Sequence, residues 1–414
     1  MSSPAPARPR PVHRAADLLA AYLPGSFYYS SARGVLLADG VHSHVRGTSG
    51  NRAAAAAEAL EAAVLAGVAN PVVVGAIGFR PDSGSSLIVP AVVRRAGMPG
   101  EGGPQSAALA GSPGGSGFED PEAPRRNDPA SWTVVPRPAP EVYAESVRRA
   151  VDLIGAGELR KVVLARALDL VGEHGVSVRK LLRNLVVADP AAHAFAVDVS
   201  APGDPAPRTL VGASPELLVS RQGNVVTANP LAGSRRRTGD PAQDAQAIAE
   251  LRVSEKDLNE HALVAAQVAE VLGRYCTELE VPREPEVMGT PTMWHLSTRI
   301  TGRVGPGGPS SLELAEALHP TPAVCGVPVE LARDTIARLE PEDRGYYAGL
   351  VGWTDLAGDG EWVVTIRCAE VSDKTARLFA GAGVVAGSDP AAELAETSAK
   401  FGTLLRALGA EGAA

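Results

Sequence analysis

Aromatic residues are scarce in this 414-residue chain: six Phe, seven Tyr and four Trp make up only 4% of it. A core of this size must therefore be filled by Ala, Val, Leu and Ile, and any ring beside polar residues becomes a candidate for function. Cysteine is scarcer still. Cys276, Cys325 and Cys368 are too few and too scattered for a disulfide framework or a Cys-x-x-Cys metal site, and read as reduced, buried thiols. No apolar run approaches a membrane span, and the opening residues carry Pro, Arg and Asp where a secretory signal needs unbroken apolar sequence. A basic surplus is also missing: 39 Lys and Arg against 47 Asp and Glu leave a net charge of −8. Attraction to nucleic acid or an anionic membrane is not expected, and a cytoplasmic protein is the default. If the ligand is an anion, a local Arg or Lys cluster must supply its counter-charge.

What is present is a globular balance, with 45% hydrophobic and 21% charged residues, long enough for one large domain or two smaller ones. Residues 1–12 are Pro- and Arg-rich and read as a frayed tail. The 97–128 stretch is dense in Gly, Pro and Ser, a composition that marks either a domain boundary or a mobile insertion. Helical spacing predicts helices near 51–67, 140–154, 177–188, 241–276 and 390–408. Strands are predicted at 70–79, 85–97, 161–170, 193–199, 209–219, 295–304, 362–371 and 376–384, with Arg221 to Asn224 as a hairpin turn. Strand runs joined by hairpins and flanked by long helices predict an α+β fold with antiparallel sheet.

Several residues invite chemistry. Asp257 and Glu260 lie three apart on one helix, as do Glu393 and Glu396 on another, with Lys400 four further on. Two such carboxylate pairs could hold Mg²⁺, or could be solvated faces with an ordinary Glu396–Lys400 pair. Glu216, in a Pro-Glu step within apolar sequence, is either a buried carboxyl with the raised pKa of a general acid or an edge-strand Glu in water. Lys161, opening an apolar strand, is either a desolvated base or a snorkelling lysine. Arg367 inside the 362–371 strand requires a fixed anionic partner, structural or ligand. The Gly381–Gly383 backbone could hold a carboxylate or form a turn, and His295 and Tyr347 could line a site or sit satisfied in the core.

Eight segments, in order, resemble the motifs of the chorismate-utilising enzymes: KVVLAR (161–166), GASPELL (212–218), PLAGSRRR (230–237), SEKDLNEH (254–261), HLSTRITG (295–302), LHPTPAVCG (318–326), DRGYYAGLVGW (343–353) and GAGVVAGSDPAAELAETSAK (381–400). The likeness covers about the last 260 residues and is nearest to the isochorismate synthases. It implies one α+β domain over 13–414, two stacked antiparallel sheets surrounded by helices, with 97–128 an insertion. It further implies Mg²⁺ and chorismate as cofactor and substrate, with no glutaminase subunit. Lys161 resembles the base that activates water and Glu216 the acid that protonates the departing hydroxyl. Glu260 and Glu396 resemble the metal ligands, with Asp257 and Glu393 beside them. Ser214, His295, Ala323, Tyr347, Arg367, Gly381, Gly383 and Lys400 resemble substrate-binding positions. Aminating relatives lack a Lys where Lys161 stands. Aminodeoxychorismate synthases carry a nucleophilic Lys at the place of Ala232, and salicylate and anthranilate producers typically have Thr at that of Ala323. These positions favour water addition and release of isochorismate over a salicylate or amino-chorismate product.

Overall fold

The computed structural model of the protein describes residues 13–97 and 132–412. The expected tail at 1–12 and all of the 97–128 segment but Gly97 thus lie outside the described residues. The helices among the described residues are α1 (Ala15–Ala20), α2 (Arg52–Leu65), α3 (Pro140–Gly155), α4 (Val178–Ala188), α5 (Pro241–Val253), α6 (Glu255–Leu272), α7 (Ser311–Leu318), α8 (Val329–Leu339) and α9 (Pro390–Leu408). The strands begin with β1 (Phe27–Ser31), β2 (Gly34–His44), β3 (Val72–Ile77), β4 (Ser85–Ala96), β5 (Trp132–Arg137), β6 (Lys161–Gly172), β7 (His193–Asp198), β8 (Thr209–Ser214), β9 (Leu217–Gln222) and β10 (Val225–Ala228). They continue with β11 (Leu231–Arg236), β12 (Thr277–Glu280), β13 (Glu286–Gly289), β14 (Met293–Ser297), β15 (Ile300–Arg303), β16 (Gly326–Val327), β17 (Leu350–Asp355), β18 (Gly360–Val364), β19 (Cys368–Ser372) and β20 (Thr375–Val385).

Local chemistry sets the helix ends. Pro begins α3, α5 and α9, where its missing N–H costs nothing. Asp240, Ser254, Ser310 and Asp389 cap the orphan amides of α5, α6, α7 and α9. Gly409 closes α9 in the left-handed conformation.

The ladders between named strands are all antiparallel. They run β5-β6-β20-β19-β8-β7-β1-β2-β4, then β3-β17-β18-β9-β10-β15-β12, with β16 also on β6. Alternation divides the side chains of one strand between two cores. Phe27 and Tyr29 of β1 join Val219, Val351 and Trp362, so the two halves of the sheet face each other across the first core. Tyr28 instead meets Leu18, Leu181 and Phe401 in a second core under α1, α4 and α9. The expected α+β stack of antiparallel layers with outer helices is what forms, continuous through the long, bulged β2–β4 ladder. A small sheet, β11-β14-β13, stands apart.

Four predicted elements are interrupted. The 209–219 strand breaks at Pro215–Glu216, and the 241–276 helix at Ser254, which ends α5 and caps α6. The 295–304 strand divides so that β14 enters the small sheet while β15 stays in the large one. Arg367 is not inside a strand: it lies between β18 and β19 at φ 51°, a left-handed conformation that no ladder accommodates.

Candidate active site

The breaks at 215–216 and 365–367 open onto one cleft, closed by β11, β14, β20, α6 and α9. Of the predicted site residues, Glu216, Glu260, His295, Ala323, Tyr347, Arg367, Gly381, Gly383, Glu396 and Lys400 line it. Lys161, Ser214, Asp257 and Glu393 stand behind this lining, and each has an assigned contact there. Ser214 Oγ accepts the Glu216 amide at 3.2 Å and so shapes the Pro215–Glu216 break.

Lys161 has no exposure at all. Its Nζ lies 2.9 Å from Glu260 Oε1, an ion pair by distance. Among the described residues no other acceptor satisfies this buried nitrogen. A Cβ on Gly383 would sit 2.4 Å from that Glu260 oxygen and 3.1 Å from Lys161 Cε, so only glycine lets β20 pass so close to the pair. Glu216, 2% exposed, lost its water when the strand pair closed over it. Burial raises its pKa to about 7, resisted by the Leu231 backbone and by Lys161, Lys400 and Arg367. The edge-strand alternative is thereby discarded.

The acidic pairs are matched one to one with cations. Besides Lys161–Glu260, Lys400 meets Glu396 at 2.6 Å, Lys256 meets Glu393 at 2.9 Å and Arg235 meets Asp257 at 2.7 Å. Burial pushes the Glu396 carboxyl up, but Lys400, Ser234 and Lys256 outweigh it and hold the group below the usual range. Burial and the neighbouring Glu396 push Glu393 the other way. Lys256, though partly desolvated, is raised by Glu393, Glu260 and Glu396 together, which shows that the three carboxylates share one field. No group of three or more His, Cys, Asp or Glu gathers as a metal set among the described residues. Two oxygen donors, Glu260 and Glu396, do face the cleft. That fits a hard divalent cation that completes its shell with water and substrate oxygens.

Across the cleft, Arg367 Nη2 lies 3.3 Å from His295 Nε2. Burial and Arg367 hold His295 well below the usual imidazole range, while the Gly233 backbone accepts from the ring. A guanidinium can only donate, so Nε2 is the acceptor and the other ring nitrogen carries the proton. Among the described residues Arg367 makes no carboxylate ion pair, and burial lowers it only to about 10, which leaves it cationic at neutral pH. Tyr347, its phenol raised by burial, stacks on Phe379 at 5.1 Å. Gly381 offers its carbonyl, not its amide, to Lys400 Nζ at 2.8 Å. The arrangement presents cations to an anionic ligand, beside a carboxyl that burial keeps partly protonated near pH 7.

Sequence reasoning did not assign roles to Ser234, Arg235, Lys256 or Arg344. All four lie within the eight family-like motifs. Their roles follow from partners distant in sequence, such as Ser234 donating to Glu396 at 3.0 Å. Arg344 donates to the carbonyls of Val324 and Val163, both at 2.8 Å, and so fixes two cleft walls.

The chain belongs to the chorismate binding enzyme family, whose model matches residues 117–409. Among its relatives is isochorismate synthase DhbC of Bacillus subtilis, 46% identical over 96% of this chain and 97% of that protein. The solved structure of a putative 2,3-dihydroxybenzoate-specific isochorismate synthase, DhbC from Bacillus anthracis, superposes with a TM-score of 0.87 at 43% identity. It covers 96% of this chain and 100% of that one. MenF, the menaquinone-specific isochorismate synthase of Escherichia coli, superposes at 0.74 with 26% identity, over 92% and 88%.

Proposed function

We propose that the protein is a Mg²⁺-dependent isochorismate synthase. The observation that carries this reading is a fully buried lysine and a buried glutamic acid whose pKa burial raises to about 7, serving one cleft whose remaining charges suit a dicarboxylate. Lys161, once its own ammonium proton has passed to solvent, takes a proton from water as the water oxygen bonds to ring C2 of chorismate. The two ring double bonds shift by one position, the C4–O bond breaks, and Glu216 protonates the departing hydroxide, so water is both consumed and released. Arg367 and Lys400 bind carboxylate oxygens, and neutral His295 orients Arg367. Glu260 and Glu396 would hold Mg²⁺, which supplies charge neutralisation for the substrate carboxylate.

Support for the product comes from relatives named isochorismate synthases over nearly the whole chain and from Lys161, Ala232 and Ala323 at the discriminating positions. Relatives specific for 2,3-dihydroxybenzoate and for menaquinone both resemble the chain, so the product would feed a siderophore-type or a menaquinone-type route. Chorismate incubated with Mg²⁺ is expected to give isochorismate by NMR and mass, without pyruvate and without need of ammonia. Stoichiometric pyruvate would reassign the chain as a salicylate synthase, and dependence on ammonia as an amino-chorismate synthase.

A further inference from the structure

A second cavity, of about 680 Å³ against about 70 Å³ for the catalytic cleft, opens beside α2, α7 and the 78–81 turn. Its volume suits a small molecule. Much of its wall is hydrocarbon: Ala53 and Ala57 of α2, Ile77, Phe79 and Leu350. Three arginines also line it, opposed by the carboxylates of Glu313 and Glu316. Arg80 is engaged by Asp82 through two hydrogen bonds. Arg52 reaches Glu316 and the Ser83 carbonyl, both at 3.4 Å, and Glu316 also accepts the Ala53 amide. Glu313 is exposed. Arg333 differs from both other arginines. It is half-buried, and among the described residues it makes no ion pair or hydrogen bond, its Nε enclosed without an acceptor. A guanidinium so placed, beside an apolar cavity, lacks the planar anion that its fork of donors matches.

We infer that this cavity binds a small carboxylate with a ring-sized apolar body, the carboxylate on Arg333 and the body against Phe79 and the α2 alanines. The cavity and the cleft share a wall. His319 lines the cavity and donates from Nε2 to the Ala348 carbonyl at 2.9 Å, while the adjacent Tyr347 lines the cleft. Residues 319–324 run from His319 in the cavity to Ala323 and Val324 in the cleft. Arg344, which fixes Val324 and Val163, lies 4.4 Å over the Phe79 ring. A ligand seated on Phe79 therefore presses on the groups that shape the cleft.

Binding is tested without turnover, by titration calorimetry and ligand-detected NMR with benzoate as probe and benzyl alcohol as its uncharged counterpart. Benzoate is expected to bind the wild type, with affinity at least tenfold weaker in Arg333→Ala and in Ala57→Trp, which fills the cavity from α2. Benzyl alcohol is expected not to compete. Unchanged affinity in both variants would overturn the site, as would loss of binding in Arg367→Ala alone, which would place benzoate in the catalytic cleft. An effect of benzoate on turnover rests on the proposed activity; the binding result does not.

Discussion

In the proposed reaction Glu216 can donate its proton only while protonated, and burial raises its pKa to about 7. The donor fraction therefore falls as pH rises through 7, and kcat/KM, which reports the free enzyme, should fall with it, losing tenfold per pH unit on the alkaline side. Glu216→Gln should cost about 10²–10⁴-fold in kcat and abolish that limb; an unchanged pH profile in the variant would remove Glu216 from the mechanism. Arg367 supports a second test. At φ 51° a Cβ is strained, so Arg367→Gly and Arg367→Ala, which lose the same charge, should differ in stability. The glycine variant should be more stable by about 1–2 kcal/mol in denaturant titration, with KM for chorismate raised in both. The identities of these residues were legible in the sequence because their motifs are local. The burial of Glu216 and the turn at Arg367 were not, since both depend on strands far away in the chain.

At the scale of elements, reading and structure part at informative places. The strands and helices that ran uninterrupted, such as β6, β20 and α9, were evident from periodicity alone. The four that proved broken split at or beside Glu216, Ser254, Thr298 and Arg367. Glu216 and Arg367 line the cleft, Thr298 follows the strand that carries His295, and Ser254 starts the helix that carries Glu260. Local propensity continues an element through such a site, whereas function requires the backbone to turn there and aim a side chain. Gly383 shows the converse, a strand position that must stay small. Gly383→Ala would push a methyl into Glu260 Oε1, 2.4 Å away. The expected outcome is a fall in kcat of at least tenfold with the circular dichroism spectrum and cooperative melt retained. A normal rate would show that the Lys161–Glu260 contact is not needed.

For the whole molecule, the buried carboxylates bear on stability. Glu396 pushes Glu393 up, and Glu260 acts with both on Lys256; a divalent cation that bound only the folded chain would relieve the carboxylate repulsion. Mg²⁺ should therefore raise Tm by mass action, about 2.7 kcal/mol of stabilisation at one hundred times Kd. The rise should vanish in Glu260→Ala combined with Glu396→Ala; a melt insensitive to Mg²⁺ in the wild type would contradict the metal assignment. The layered α+β architecture was legible from strand and helix spacing. The pairing order was not, because β6 meets β20 and β1 meets β7 across long stretches of chain. That order has a consequence for how the protein fails. β6 is paired to β20 along its whole length from Lys161 to Val171, and to β5 and β16 on its other side. Its amides should be among the last to exchange with solvent, opening only when the entire domain opens. Lys161 is thus mounted where no local breathing reaches it, and heat should abolish catalysis and fold in a single step.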